Sequence, residues 1–167
     1  MDPTARTIIE QLKMSPHPEG GYFVETWRSE EMYDLPGQGA RNLGTGIYFL
    51  IPHGQLSRFH RLKADEIWHF YQGDPITVVT LNSKQGLKQN LVGPIGLDHG
   101  MPQLIIPQGT WFGAIHESPP EQGYTLVGCT VSPGFEFKDF ELATRDKLMA
   151  KFAGGDDKVK EWIKKLT

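Results

Sequence analysis

The chain has little cysteine and no long hydrophobic run, and each absence excludes a class of structure. Cys129 is the only cysteine in 167 residues, which excludes an internal disulfide and a zinc cluster of several thiolates. It lies in the apolar run 124–131. We therefore predict a small buried core residue, since a reactive thiol needs an electropositive, partly exposed setting. No apolar run approaches the roughly 20 residues that span a bilayer.

Neither sign of charge dominates the chain. It has 17 Lys and Arg against 20 Asp and Glu, a formal net charge of −3. This balance attracts neither nucleic acid nor an anionic membrane, and we predict neither as a partner. The N-terminus lacks the basic region and apolar stretch of a secretory signal, so we predict a cytoplasmic protein. A chain of this length fits one domain that needs no disulfide or structural metal.

Helical patterns lie at the two ends of the chain. Residues 3–14 predict a helix with Asp2 as N-cap and Pro3 in the first turn. After Thr144 two amphipathic helices are predicted, the first ending at Gly154 and Gly155. The second is capped by Asp156 or Asp157, and its apolar residues recur at helical spacing. These inward positions are Leu148, Met149 and Phe152 in the first helix, and Val159, Trp162, Ile163 and Leu166 in the second.

The middle of the chain has a β pattern. Residues 22–28 alternate as a half-buried strand, and the polar, turn-rich residues 29–42 predict a surface loop or lid. Over residues 43–131, short β-branched stretches recur about every ten residues, bounded by Gly, Pro, Asn or Asp. This spacing favours a sandwich or barrel. Residues 82–86 predict a hairpin loop within it.

Chemistry-bearing side chains concentrate in residues 54–73. His60, Glu66 and His69 lie within this stretch among aromatic residues, a combination that fits a metal site, an acid–base site or a polar belt on a strand pair. Strand alternation faces His69 away from the side that Glu66 occupies. His17 and Glu19 precede a tight Gly-Gly turn, where a structural role and a ligand contact both stay open.

The spacing in residues 54–73 resembles the first motif of the cupins, G, five residues, HxH, three or four residues, E, six residues, G. Gly54, His60, Glu66 and Gly73 occupy that frame, and Leu62 stands at the second histidine position. Residues 107–109, Pro-Gln-Gly, resemble the centre of the second cupin motif. Phe112 stands at its histidine position and His116 at its asparagine position.

A closer resemblance covers about residues 5 to 150. It is carried by HPEGGY at 17–22, by SRFHRL, DEIWHF and GDP within 57–75, and by VGCTV, PGFEF and DFE within 127–141. These blocks resemble the uncharacterised fifth cupin group, a domain of unknown function with an RmlC-like jelly roll. The resemblance implies one all-β domain over 1–167, a double-stranded β-helix at 20–142 with an N-terminal helix in 1–15 and C-terminal helices in 143–167. It also implies a small-molecule ligand and a homodimer.

The predicted function is the binding of a small molecule of unspecified identity at the barrel mouth around His60 and Glu66. Cupin metals take three histidines and a glutamate, whereas Leu62 and Phe112 cannot ligate, so we expect no standard cupin metal and no other cofactor. Aromatic-lined concave sites with a few polar groups are typical of small-molecule binding. The predicted pocket residues are Arg58, Trp68, Phe70, Trp111, Phe112, His116 and Phe137.

Three alternatives stay open at this point. The first is a metal-free isomerase or epimerase in which His60 is the base, Glu66 holds its tautomer and Arg58 neutralises an enolate. The second is a metal-dependent enzyme that holds a divalent metal with His60, Glu66 and His116, in the manner of a two-histidine, one-carboxylate triad. The third is a purely structural or protein-binding module resembling the seed-storage cupins.

Overall fold

The computed structural model describes residues 1–117, 123–152, 154 and 156–167. The chain begins with helix α1 (Pro3–Gln11). The Asp2 carboxylate accepts hydrogen bonds from the backbone N–H groups of Thr4 at 2.8 Å and Ala5 at 3.1 Å. These bonds satisfy donors that a helix N-terminus leaves unpaired, which confirms the predicted cap.

Strands make up most of the rest of the described chain. In chain order they are β1 (Ser15–Pro16), β2 (Tyr22–Arg28), β3 (Met32–Leu35), β4 (Gly39–Asn42), β5 (Thr45–Pro52), β6 (Leu56–Arg61), β7 (Asp65–Gly73), β8 (Ile76–Asn82), β9 (Gly86–Val92), β10 (Gly100–Met101), β11 (Gln103–Ile106), β12 (Trp111–Ile115), β13 (Tyr124–Ser132) and β14 (Glu141–Leu142).

Two six-stranded sheets form the body of the molecule. One has the order β1-β2-β5-β13-β7-β11 and the other β10-β9-β8-β12-β6-β14. Their inner faces enclose a core that includes Phe49, Trp68, Val78, Phe112 and Val127. This is the predicted jelly-roll arrangement, in which sequentially distant strands lie side by side. The β8–β9 connection is the predicted hairpin.

Residues 29–42 are a correction to the sequence interpretation. They contain a two-stranded hairpin of β3 and β4 rather than a loop, with Tyr33 opposite Arg41. The strands are mostly exposed on both faces. A strand that buries neither face has no apolar alternation to reveal it. Arg41 is the buried exception and donates to Asp139 at 2.7 Å.

A bulge in β6 decides which of its side chains enter the barrel. Phe112 of β12 pairs with His60, whereas Ala114 pairs with Ser57, so β6 carries one extra residue between these two pairs. The bulge places both Ser57 and His60 inward and leaves Arg58 exposed. Gly113 lies opposite, where a Cβ atom would be 2.7 Å from the Ser57 carbonyl oxygen.

Helices α2 (Arg145–Phe152) and α3 (Asp157–Lys165) close the chain, as predicted. The side chain of Asp156 caps α3 by accepting from the N–H of Lys158 at 2.9 Å. The predicted stop of α2 falls partly on Gly155, which lies outside the described residues. Of the helices described, none combines the length and apolar character needed to cross a membrane. Both helices cover an outer face of the barrel, where Leu148, Val159, Trp162, Ile163 and Leu166 pack with Phe59, Leu81 and Trp111.

Candidate functional site

A cavity of about 100 Å³ opens at one end of the barrel. Its walls come from β2, β5, β6, β7 and β13, from the turn before β2, and from the segment between β13 and β14. The lining residues are His17, Glu19, Phe23, Glu25, Arg28, Thr45, Ile47, Phe49, His60, Leu62, Glu66, Cys129, Val131, Phe135, Glu136, Phe137 and Phe140.

Glu19 is the centre of the polar side of this cavity and is only 5% exposed. Its Oε1 accepts a hydrogen bond from the Ser57 hydroxyl at 2.7 Å. Its Oε2 lies 3.1 Å from Nε2 of His60 and 3.3 Å from Nδ1 of His17. Two histidines and a hydroxyl therefore hold one carboxylate, which is the pairing that a buried charge requires.

Gly20 allows Glu19 to reach this position. Its φ is +116°, and a Cβ atom there would lie 2.0 Å from the backbone oxygen of Leu56. The N–H of Arg58 also donates to the Glu19 carbonyl at 2.8 Å. The turn can lie this close to β6 only because residue 20 has no side chain.

Hydrogen bonds define the protonation of His60. Its Nδ1 lies 2.7 Å from the carbonyl oxygen of Arg58, which can only accept, so Nδ1 carries a proton. Its Nε2 faces a carboxylate oxygen, so a second proton lies between His60 and Glu19. Burial leaves the pKa of His60 below its ordinary value, although the charge of Glu19 opposes this effect. Burial alone would raise the pKa of Glu19, but His60, His17 and Ser57 outweigh it and leave that pKa below its ordinary value.

Glu66 is protonated at neutral pH, in contrast to the ionised Glu19. It projects from β7 and accepts a hydrogen bond from the indole N–H of Trp68 at 3.0 Å. Burial, reinforced by the negative charge of Glu19, raises the pKa of Glu66 to about 8. Its charge also helps to raise the pKa of the neighbouring Cys129 thiol, for which burial is the larger cause. At neutral pH the cavity therefore contains a protonated carboxylic acid and an ionised carboxylate.

Aromatic rings from the segment between β13 and β14 cover the cavity mouth. Phe137 is 53% exposed there, and its ring lies at 25° to the ring of His17, with the centroids 6.1 Å apart. Phe140 approaches His17 edge-on at 5.7 Å. The site thus combines a polar floor with an apolar entrance, the usual form of a small-molecule site.

Three of the predicted site residues, His60, Glu66 and Phe137, lie together in the cavity. Two others form its support rather than its lining. Trp68 holds Glu66, and the Phe112 ring packs 4.0 Å from the His60 ring.

The remaining predicted pocket residues lie elsewhere, which corrects their assignment. Arg58 faces outward because of the bulge and donates to the carbonyl of Pro18. Phe70 packs against the barrel core, and Trp111 packs under the C-terminal helices. His69 bonds Thr130 at 3.2 Å outside the cavity, as strand alternation predicts.

His116 lies away from the cavity, so the set His60, Glu66 and His116 is not assembled. Its ring stacks on His53 with the centroids 3.8 Å apart. Its Nε2 lies 2.7 Å from the hydroxyl of Thr125. Thr125 donates its own hydrogen to the carbonyl of Asp74, so Nε2 of His116 carries the proton.

The donor set does not fit the metal of typical cupins. Leu62 lines the cavity with carbon atoms at one ligand position, and Phe112 occupies another. Both ring nitrogens of His60 are already hydrogen-bonded. In the described part of the chain, no three His, Cys, Asp or Glu side chains are arranged to hold a metal ion. The cavity therefore does not present the three histidines and one glutamate that hold the metal of typical cupins.

Sequence reasoning left the role of His17 and Glu19 open and assigned Cys129 only to the core. Glu19 meets Ser57 across 38 positions of sequence, a pairing that no local periodicity predicts. The signal was the block HPEGGY at 17–22, whose paired glycines mark a strained turn next to two ionisable residues.

Comparisons with known proteins agree with this architecture. The family model described as Cupin superfamily (DUF985) matches residues 6–143. Uncharacterized protein YML079W of Saccharomyces cerevisiae is 28% identical over 170 residues, covering 93% of this chain and 78% of the yeast protein. A crystal structure of protein SO0799 from Shewanella oneidensis has 36% identity and a TM-score of 0.85, covering 98% of this chain and 96% of that one.

Two further structures extend the comparison. A hypothetical protein from Leishmania major has 33% identity and a TM-score of 0.85, covering 94% of this chain and 97% of that one. Oxalate decarboxylase from Bacillus subtilis has 17% identity and a TM-score of 0.53, covering 91% of this chain and 36% of its own, so it shares the fold alone. The chain belongs to the cupin superfamily, in the DUF985 family of unknown function.

Proposed function

We propose that this protein binds a small molecule in the barrel-mouth cavity and moves a proton on it, as metal-free isomerases and epimerases do. One observation carries the proposal. Glu19 and Glu66 share a cavity, yet burial and the negative charge of Glu19 keep Glu66 protonated, while two histidines and a hydroxyl keep Glu19 ionised. Environments that separate the pKa values of two carboxyl groups are typical of general acid–base pairs.

Glu66 is the acid in this proposal. Its Oε1 accepts from Trp68 at 3.0 Å, so its proton is held on Oε2. Glu66 is buried and lines the cavity. A carboxylic acid with a pKa of about 8 is protonated at neutral pH. Because this pKa is close to neutral, the group can give up its proton and take one up again between turnovers.

His17 is the base, rather than the His60 predicted from sequence. Both nitrogens of His60 are occupied by Arg58 and Glu19, so His60 positions Glu19. Nδ1 of His17 lies 3.3 Å from the Glu19 carboxylate and 3.4 Å from the backbone N–H of Glu19. We assign the Nδ1 proton to the carboxylate contact because that contact is shorter and charge-assisted. Nε2 is then unprotonated, and no hydrogen bond from the described residues reaches it. His17 lines the cavity, so Nε2 is the atom at which a proton can enter or leave the cluster.

The proposed reaction is an enolisation. His17 takes a proton from a carbon next to a carbonyl while Glu66 gives its proton to the carbonyl oxygen, and the product is a neutral enol. His17 can return its proton to the same carbon while the enol oxygen returns its proton to Glu66, which restores both groups. When the substrate is an α-hydroxy carbonyl, His17 can instead protonate the former carbonyl carbon of the enediol while the other hydroxyl gives its proton to Glu66, which yields the isomer. Positioned acid–base groups of this kind contribute typically about 10²- to 10⁴-fold each to the rate.

Solvent-deuterium incorporation tests the proposal. The protein is incubated in D₂O with a library of small carbonyl compounds, and mass spectrometry detects singly deuterated species. His17→Gln and Glu66→Gln should each lower incorporation about 10²-fold or more. His69→Gln changes a histidine outside the cavity and is the matched control. A compound that binds but exchanges no deuterium, or exchange that persists in both cavity variants, would contradict proton transfer and leave a binding protein.

A further inference from the structure

The guanidinium at the cavity wall is fully occupied by protein acceptors. Arg28 has five N–H donors. Its Nε and Nη2 donate to the two carboxylate oxygens of Glu25 at 2.9 and 2.8 Å. Nη2 also donates to the carbonyl of Phe135 at 3.1 Å, and Nη1 donates to Asn42 at 2.9 Å and Glu136 at 3.0 Å. No donor is left for a ligand.

Arg28 is the one arginine or lysine among the described residues that line the cavity. Two of its five hydrogen bonds, to Phe135 and Glu136, join β2 to the segment that covers the mouth, so Arg28 helps to hold that segment in place. Three carboxylates of the lining, Glu19, Glu25 and Glu136, face a single guanidinium, and burial disfavours a positive charge on His60. The cavity therefore carries a net negative charge, which repels an anion.

Resting on the function proposed above, we propose that the ligand is a small uncharged carbonyl compound and that the site selects against carboxylates and phosphates. Glu66 offers a hydrogen-bond donor to the carbonyl oxygen, and the His17–Glu19 pair lies in the same lining. A cavity of about 100 Å³ suits a molecule of a few heavy atoms. A carboxylate in it would lose hydration without gaining a cationic partner.

Matched probes test the selectivity by ligand-observed NMR titration. Hydroxyacetone and dihydroxyacetone are the uncharged series, and pyruvate, glycerate and inorganic phosphate are the anions of similar size. We expect the uncharged series to bind roughly 10- to 100-fold more tightly than the anions. Anions that bind equally or better, or an uncharged series that does not bind, would overturn the inference.

Glu136→Gln provides the second arm of the experiment. The change removes one carboxylate and weakens one of the bonds that occupy Arg28. Pyruvate affinity should rise about tenfold relative to hydroxyacetone affinity. Lys138→Gln, a neighbouring charge change outside the cavity lining, is the control. Unchanged pyruvate affinity in Glu136→Gln would contradict the role given to Arg28.

The two proposals fail in different ways. Hydroxyacetone that binds selectively without taking up deuterium from D₂O contradicts proton transfer and supports the selectivity. Preferential binding of pyruvate or glycerate contradicts the selectivity, whatever the deuterium measurement gives.

Discussion

Replacing Glu66 by glutamine should change how the stability of this protein depends on pH. Glu66 has a pKa of about 8 in the fold, against 4.5 for the free side chain. Between these values the folded state holds a proton that the unfolded state has released, so stability falls as pH rises. The contribution is fully present below pH 4.5 and is lost as pH passes through about 8.

The expected magnitude follows from that difference. Each pH unit in this window costs about 1.4 kcal/mol of unfolding free energy, and the whole window costs about 4 to 5 kcal/mol. Glutamine has nearly the shape of the protonated acid and can still accept from Trp68, but it does not titrate. The Glu66→Gln protein should therefore lack this loss and become the more stable of the two in mildly alkaline solution.

Urea unfolding of both proteins at about pH 5, 6, 7 and 8 measures the effect. All other groups titrate in both proteins, so the difference between the two curves isolates Glu66. We expect the difference in unfolding free energy between the two proteins to change by about 1.4 kcal/mol for each pH unit. Parallel curves across this range would show that Glu66 has no raised pKa.

Three further predictions concern the support of the site and the opposite part of the barrel. Gly20→Ala should lower the free energy of unfolding in urea by at least about 3 kcal/mol, because its Cβ atom would collide with the backbone oxygen of Leu56. Gly37→Ala should lower it by only about 1 kcal/mol, since residue 37 has a φ of +77° but open space around it. Equal losses in the two variants would contradict the steric explanation. Ser57→Ala removes a hydrogen-bond donor to Glu19 and should therefore raise the pKa of Glu19 in a carbon-13 NMR titration. An unchanged midpoint would contradict this prediction. Burial lowers the pKa of His116 from 6.5 to about 4. About 3 kcal/mol of stability that is present above pH 6.5 should therefore be lost as the pH falls through about 4. His116→Gln should lack that loss, and the same dependence of unfolding free energy on acid pH in both proteins would contradict the prediction.

The fold was predictable because its signals are local. Short β-branched stretches, the Asp2 and Asp156 caps and the helical spacing at the C-terminus each appear within a few residues of sequence. The hairpin at residues 29–42 escaped prediction because its strands bury neither face and so carry no alternation. The homodimer and the cytoplasmic location stay predictions.

The site was predictable only in part because long-range packing completes it. The motif frame located His60 and Glu66, but it paired them with each other, whereas the turn before β2 supplies Glu19 as the partner of His60. Simple alternation placed Arg58 beside His60, and one extra residue in β6 reversed that orientation. Trp68 was predicted to line the pocket, whereas the structure shows that it supports the pocket by donating a hydrogen bond to Glu66.

A carbon-13 NMR titration of the carboxyl groups measures directly whether Glu19 and Glu66 have opposite ionisation in one cavity. Signals are assigned with Glu19→Gln and Glu66→Gln. We expect the Glu66 signal to report a protonated acid at neutral pH and to titrate near 8, while Glu19 is already ionised. A Glu66 midpoint near the ordinary 4.5 would show that the two carboxyl groups do not differ in this way.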